Sequence, residues 1–116
     1  MVGYRLPKWR LLRKKQEFDA VYREGSRLYG VGVTLVFRAN DRGFSRIGIS
    51  VNRKIKGAVT RNRIKRICRE SFRLNPESFP AQADIVIAVR PDFSLQSPAQ
   101  VTRVVNDLVY RAHTTK

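Results

Sequence analysis

The residue types best suited to chemistry in this chain are cations, and they cluster between positions 53 and 73. This span contains a single acid, Glu70. Its nine basic residues are Arg53, Lys54, Lys56, Arg61, Arg63, Lys65, Arg66, Arg69 and Arg73. On a helix, Arg61, Lys65 and Arg69 would form one ridge of like charge, which destabilises an isolated helix by about a few tenths of a kcal/mol per pair. Because arginine forks match the oxygens of phosphate, the span predicts a phosphate-binding surface.

A catalytic set of side chains is not evident in the sequence. The chain has one histidine and one cysteine, which excludes an internal disulfide framework, a multi-cysteine zinc site and any mechanism that needs two histidines. No carboxylate pair stands at a convincing spacing, and no nucleophile has an evident activating base. Cys68 is expected to be a buried small hydrophobe and His113 a surface residue. We therefore predict a binding protein with no catalytic or metal-ligating residues of its own.

Composition points in the same direction. The chain has 116 residues, 42% of them hydrophobic, and 24 Lys and Arg against 9 Asp and Glu, for a formal net charge of +15. Such an excess opposes compact folding through self-repulsion and is best understood if a polyanion is the partner. No stretch approaches the roughly 18 to 20 apolar residues of a membrane helix, and no secretory signal is evident. Charge alone does not separate RNA, DNA and an anionic membrane.

The elements that must position these cations begin with a short helix. Residues 14 to 24 have a helical period, with Phe18, Val21 and Tyr22 on one face and Gly25 as a left-handed stop. The preceding residues, 1 to 13, form a basic segment that we expect to be extended. We treat the whole chain, residues 1 to 116, as a single domain.

Two predicted strands follow the first helix. Residues 27 to 38 have the composition of a strand, with a break at Gly30 or Gly32. Residues 45 to 52 alternate apolar side chains with small or polar ones, and a turn at residues 40 to 43 precedes them. We expect the two strands to pair as an antiparallel hairpin.

The second half of the chain predicts a helix, a strand and a helix. The basic span lies on a helix from about Gly57 to Leu74, whose apolar stripe is Ile64, Ile67, Cys68, Ser71 and Phe72. Residues 84 to 90 form a continuous apolar run, which is typical of a strand covered on both faces. Ser97 and Pro98 are suited to begin the last helix. Together these elements predict an α+β domain with a small mixed sheet.

The segment from residue 48 to residue 70, GISVNRKIKGAVTRNRIKRICRE, closely resembles the signature of the bacterial ribonuclease P protein family. Arg61-Asn62-Arg63, followed by Lys65, Arg66 and Arg69, resembles that family's RNR motif. The first helix, the strands and the late apolar run also fall in the expected order, so the resemblance covers nearly the whole chain.

This resemblance implies a fold and a function. The fold is the ribosomal protein S5 domain 2-like arrangement, with three helices and a small mixed sheet in the order α-β-β-β-α-β-α and a left-handed βαβ crossover. The function is that of the protein subunit of a ribozyme that removes the 5′ leader of precursor tRNA, whose RNA subunit performs the hydrolysis with Mg²⁺. The partners implied are the catalytic RNA and precursor tRNA, with no membrane. We expect a monomer in the absence of RNA and a cytoplasmic location.

The resemblance also implies two sets of site residues. Residues expected to face RNA are Arg53, Lys54, Lys56, Arg61, Asn62, Arg63, Lys65, Arg66 and Arg69. Residues expected to line a cleft for the single-stranded leader are Phe18, Tyr22, Val36, Ser50 and Asn52. Some relatives have an aromatic residue where this chain has Val36, so the cleft has one fewer stacking platform unless the alignment is off by one.

Several alternatives remain open from the sequence. Phe18 and Tyr22 could simply pack the core of a short amphipathic helix, and Trp9 could pack its segment onto the fold instead of stacking on RNA. The whole protein could be a general RNA-binding or ribosomal-type protein without a processing role. A DNA-binding module with the basic helix in the major groove is a third alternative, although no dimerisation element is evident.

Overall fold

A computed structural model describes residues 6–114, with the side chains of His113 and Thr114 outside the description. The expectation of a surface position for His113 therefore lies outside the described side chains. The main elements are α1 (Lys15–Glu24), β1 (Ser26–Tyr29), β2 (Val33–Ala39), β3 (Arg46–Val51), α2 (Ala58–Leu74), β4 (Ala83–Val89) and α3 (Pro98–Thr114). Their order confirms the α+β fold with three helices, and the predicted first strand is indeed broken between residues 29 and 33.

The four strands form one mixed sheet in the order β1-β2-β4-β3. β4 pairs antiparallel with β2 and parallel with β3, so that Val86 lies opposite both Val36 and Gly48. The predicted hairpin between β2 and β3 is therefore wrong. β4, the most continuously apolar strand, lies between them and is buried on both faces, whereas a β2–β3 hairpin would have left it at an edge.

The larger core lies between one face of the sheet and helices α2 and α3. β3 contributes Ile47, Ile49 and Val51 to this core. The buried residues of α2 are the five predicted from its helical period: Ile64, Ile67, Cys68, Ser71 and Phe72. Burial raises the pKa of the Cys68 thiol to about 12, which keeps it protonated and unreactive at neutral pH.

The smaller core lies on the opposite face, beneath α1. Val21 of α1 packs there with Leu12, Val36 and Val86, and Phe18 and Tyr22 close its margin. Phe18 requires a glycine beneath it, because a Cβ at Gly48 would lie 2.5 Å from the Cζ of its ring.

Gly25 ends α1 in a conformation different from the predicted one. Its φ is −87°, in the extended region, so the expected left-handed stop is wrong. Glycine is needed there because a Cβ would lie 2.5 Å from the carbonyl oxygen of Val21 and 2.8 Å from that of Phe37. The constraint is therefore close backbone approach where α1 turns towards the sheet, and not a positive φ.

The described part of the N-terminal segment that was expected to be extended is partly folded onto the sheet, and residues 1 to 5 lie outside the described residues. Lys8–Arg10 form a short 3-10 helix. The next residues run beside β3, where the amide of Leu12 donates to the carbonyl of Ile47 at 2.9 Å. The side chain of Leu12 is buried.

A nearly buried ionic network joins α1 to two strands. Arg46 on β3 donates two hydrogen bonds to the carboxylate of Asp84 on β4, at 2.9 and 2.8 Å, and a third to Glu17 at 3.1 Å. Burial opposes ionisation of Asp84, but hydrogen bonds from Arg46 and Asn40 outweigh it and hold the pKa of this carboxyl below its ordinary value. The pKa of Glu17 is lowered as well, because backbone amides of Lys14 and Arg13, together with Arg46, outweigh its desolvation. Both carboxylates are therefore charged at neutral pH.

Replacing Arg46 with methionine should destabilise the fold by about 3–5 kcal/mol, since it leaves Asp84 nearly buried without its counter-charge. The measurement is urea unfolding followed by far-UV circular dichroism. Arg23→Met, which breaks an exposed pair with Glu24, is the matched control and should cost about 1 kcal/mol or less. Equal losses for the two variants would contradict a structural role for the network.

Candidate nucleic-acid interface

The acids of this protein lie away from the loop that precedes α2 and from most of α2 itself. Ion pairs join Glu17 and Asp84 to Arg46, Asp19 to Lys15, Glu24 to Arg23 and Arg38, Glu70 to Arg73, Asp92 to Arg90, and Asp107 to Arg111. Within residues 6–114, none of these pairs involves a cation from positions 53 to 69. The acids therefore neutralise other parts of the chain and leave the predicted phosphate-binding span positive.

Seven cations form what we call the basic face: Arg53, Lys54, Lys56, Arg63, Lys65, Arg66 and Arg69. All but Lys65 are exposed, and Lys65 is half-buried. Of the four on α2, Arg66 and Arg69 lie opposite the buried stripe and Arg63 and Lys65 flank it, because Ile64, Ile67 and Phe72 pack in the core and orient the helix. Asn62 is exposed on the same helix. The structure thus brings most of the sequence-predicted RNA-binding residues onto one helix and the loop before it.

Arg73 is set apart from this surface by its own acid. Its Nε and Nη2 donate to the two carboxylate oxygens of Glu70 at 2.9 and 2.7 Å, one helical turn away. Arg73 belongs to the basic span of the sequence, but in the structure Glu70 neutralises its charge.

The guanidinium of Arg61 is turned towards the backbone of the preceding loop, whereas that of Arg63 donates to Oε1 of Gln96 at 2.7 Å. Nη1 of Arg61 donates to the carbonyls of Asn52 and Ile55 at 2.9 and 2.8 Å, and its Nη2 donates to that of Val51 at 3.0 Å. These three acceptors follow one another along the β3–α2 loop. Arg61 therefore holds in place the loop that carries three members of the basic face, a role that its sequence motif did not indicate.

Asn52 also serves this loop. Its Oδ1 accepts a hydrogen bond from the amide of Lys54 at 2.9 Å, while its own amide donates to the carbonyl of Val89 at 3.0 Å. The loop then reaches Gly57, whose φ of +91° is in the left-handed region that favours glycine. Backbone turns and one arginine together define the start of α2.

The residues predicted to line the leader cleft differ in how far they are exposed. Phe18 and Tyr22 are half-buried against the smaller core, so they combine packing with an accessible edge. Val36 is completely buried beneath α1, and its side chain offers no surface to a bound strand. Val36 is therefore withdrawn as a cleft residue.

Beyond α1, the same sheet face continues as a row of side chains that we call the open row. Its members lie opposite one another on adjacent strands: Tyr29, Thr34, Ala88 and Ser50. Thr34 is buried and accepts a hydrogen bond from Arg90 at 2.8 Å, whereas Ala88 and Ser50 are half-buried. These small side chains leave space beside Phe18 and Tyr22. The open row lies about 7 Å along the strands from the part of the sheet that α1 covers.

Tyr29 is a candidate site residue that the sequence analysis missed. It lies on the edge strand β1 and is 70% exposed, on the same sheet face as Val36. It could replace the aromatic platform that Val36 lacks. The break predicted at Gly30 or Gly32 does not by itself place Tyr29 on this face, because its face depends on the register in which β1 pairs with β2.

The described residues provide no set of metal-ligating side chains at this surface. Among the residues described, no three His, Cys, Asp or Glu side chains lie close enough to hold a metal ion together. Within the same residues, no helix is long and apolar enough to cross a membrane.

Known proteins are similar to this chain in both fold and sequence. The family described as Ribonuclease P matches residues 6–113 of the chain. The ribonuclease P protein component of Desulfotalea psychrophila is 56% identical over 93% of this chain and 90% of its own length. That of Syntrophus aciditrophicus is 40% identical over 90% and 87%. The RNase P protein from Thermotoga maritima superposes with a TM-score of 0.75 at 34% identity, covering 86% of this chain and 94% of that structure.

Replacing Arg61 with alanine should loosen the β3–α2 loop, because three carbonyls lose a charged donor. Amide hydrogen exchange at Lys54 and Ile55 should become roughly tenfold faster or more, as expected from the strength of hydrogen bonds to charged groups. Arg66→Ala, which removes an exposed cation from the same helix, should leave that exchange unchanged. Unchanged exchange in Arg61→Ala would show that the loop does not depend on the arginine.

Proposed function

Because this chain belongs to the ribonuclease P family of protein components, we propose that it assists removal of the 5′ leader from precursor tRNA by binding two RNA segments. The basic face binds phosphates of the catalytic RNA. The open row, with Phe18 and Tyr22 beside it, binds the single-stranded leader. The observation that carries this proposal is the basic face itself, whose cations have no acidic partner within the described residues.

The basic face supports the first half of the proposal through its charge and its rigidity. Its arginines suit bidentate contact with phosphate oxygens, and α2 is held against the core by its buried stripe. Arg61 acts on this surface as a positioning residue, because it holds the loop that carries Arg53, Lys54 and Lys56. Neutralising clustered RNA phosphates lowers the repulsion that the ribozyme must otherwise offset with cations from solution.

The leader half of the proposal is supported by aromatic edges beside small side chains. Tyr29 and Tyr22 offer stacking surfaces, and the small side chains of Ala88 and Ser50 continue the open row across β4 and β3. Stacking of bases on aromatic rings contributes about 1–3 kcal/mol per base and tolerates any sequence, as a grip on variable leaders requires. Arg27, whose guanidinium lies 5.5 Å from the Tyr22 ring centroid, adds positive charge at the same margin.

The resemblance implies Mg²⁺ as the ion used in the hydrolysis, and we propose that the RNA subunit holds it. The described protein residues offer no set of metal ligands, so we assign no step to a protein-bound ion. We likewise propose that the protein supplies binding and positioning while the RNA supplies the chemistry. A monomer in the absence of RNA and a cytoplasmic location remain predictions; sedimentation of the free protein would test the first.

The proposed function is tested by cleavage of precursor tRNA at low Mg²⁺ by the catalytic RNA of the same organism, with and without this protein. We expect the protein to restore cleavage, and the Arg63→Ala, Arg66→Ala, Arg69→Ala triple variant to require roughly tenfold or more additional protein for the same rate. Three exposed cations elsewhere provide a control with equal loss of charge: Arg23→Ala, Arg103→Ala, Arg111→Ala. Tight RNA binding without restored cleavage would instead favour a general RNA-binding protein.

The leader contact is tested by replacing Tyr29 with leucine. Affinity for precursor tRNA should fall about fivefold or more, whereas affinity for mature tRNA should not change, because only the precursor carries the leader. Fluorescence anisotropy of the assembled complex with each labelled tRNA gives both values. Tyr110→Leu, an exposed tyrosine on α3, is the control. Equal losses for both tRNAs would place Tyr29 outside the leader contact.

A further inference from the structure

A second surface that combines cations with aromatic rings lies at the opposite end of β3 from the β3–α2 loop. A cavity of about 420 Å³ opens there between the N-terminal segment and the turn before β3. Its lining includes Lys8, Trp9, Arg13, Lys14, Arg42 and Phe44, which we call the N-terminal patch. The six residues of β3 separate it from Asn52 by about 20 Å. The patch therefore belongs neither to the basic face nor to the open row.

Trp9 is held rigidly although it is largely exposed. Its side chain is 58% accessible, and its ring meets that of Phe44 edge to face, with centroids 4.7 Å apart. The guanidinium of Arg10 lies 5.6 Å from the Trp9 ring centroid and 5.1 Å from that of Phe72 in the core. Arg10 is itself fixed by a 2.7 Å hydrogen bond from Nε to the carbonyl of Ser45. The indole is thus a preorganised, solvent-facing platform.

The cations around this platform are available to a ligand. No acid forms an ion pair with Lys8, Arg13, Lys14 or Arg42 in the described part of the chain. The carboxylate that lines the cavity, Glu17, is already engaged. One of its oxygens accepts from the amides of Arg13 and Lys14 at 2.8 and 3.0 Å, and the other accepts from Arg46. The patch therefore keeps a positive charge beside an accessible aromatic ring.

We propose that the N-terminal patch binds a short segment of single-stranded RNA, with one base stacked on Trp9 and the adjoining phosphates held by Lys8, Arg13, Lys14 and Arg42. An aromatic platform next to a cationic groove is the combination that single-stranded nucleic acid requires. An acidic peptide would use the cations but not the ring, and a free nucleotide would use the ring but few of the cations. A strand of several nucleotides uses both.

Trp9 provides its own reporter, because it is the only tryptophan in the chain. We would titrate the protein with an unlabelled uridine hexanucleotide and follow Trp9 fluorescence, and follow binding separately by anisotropy of a labelled hexanucleotide. The titration is done with the natural chain and in the Arg63→Ala, Arg66→Ala, Arg69→Ala background, which weakens the basic face. We expect saturable quenching of Trp9 in both proteins.

Variants in that background separate stacking from packing. Trp9→Phe should bind the hexanucleotide within about twofold of its parent, and Trp9→Ala should bind about fivefold or more weakly. Tyr110→Ala, which removes an exposed ring from α3, should not change binding. Lys8→Ala with Arg42→Ala should weaken binding and reduce the magnitude of the log–log salt slope by about 1.4, as two lost phosphate contacts to a single strand predict. If Trp9→Ala fails to fold, the variant with Lys8→Ala and Arg42→Ala still tests the proposal, because both of its substitutions are at surface residues.

Three results would overturn the proposal. The first is unchanged Trp9 fluorescence when anisotropy shows the hexanucleotide to be bound. The second is equal affinity of adenosine monophosphate and the hexanucleotide, which would indicate a site for free nucleotides. The third is equal displacement by polyglutamate at matched charge, which would indicate charge attraction alone. None of these depends on cleavage activity, so failure here is distinguishable from failure of the proposed function.

Discussion

Arg46 connects three elements that are far apart in the chain, and the site geometry depends on this connection. Its guanidinium lies on β3, binds Asp84 on β4 in a bidentate contact and reaches Glu17 on α1. Glu17 in turn accepts from the amides of Arg13 and Lys14, where the N-terminal segment enters α1. One nearly buried cation thus orients α1 over the sheet and anchors the segment that carries Trp9. Two of the three surfaces that we propose to bind RNA, the one beside α1 and the N-terminal patch, share this anchor.

The placement of the acids reconciles a compact fold with a net charge of +15. Repulsion among cations opposes a compact state, and acids placed evenly through the sequence would relieve it everywhere. The acids instead pair with arginines and lysines on α1, β2, β3 and α3 and at the C-terminal end of α2. The loop before α2 and most of its exposed side remain uncompensated. The cations that form ion pairs in the fold are therefore different from the cations that we propose to bind RNA, and Arg61 connects the two groups because its charge holds a loop of the basic face.

Local patterns predicted this protein well, and long-range pairing was the part that could not be predicted. The helical period of residues 64 to 72 identified the buried stripe of α2 residue by residue, since each helix must bury one face. The β2–β3 hairpin was wrong because adjacency in sequence favours pairing, whereas β4 arrives after α2 and lies between the two strands. Val36 and Arg61 were assigned surface roles by resemblance, but burial and hydrogen-bond partners depend on the folded chain. Tyr29 was missed for the same reason, because its face follows from the register with Thr34.

The central claim is that the basic face meets RNA phosphates directly, and the salt dependence of catalytic-RNA affinity tests it most directly. Each lost phosphate contact should reduce the magnitude of the log–log slope by about 0.7 to 0.9. The Arg63→Ala, Arg66→Ala, Arg69→Ala variant should therefore have a slope smaller in magnitude by about 2 to 3 than the natural chain, while the control with Arg23, Arg103 and Arg111 replaced keeps the natural slope. Equal slopes for the natural chain and the α2 variant would contradict the claim and place the main RNA contact elsewhere on the protein.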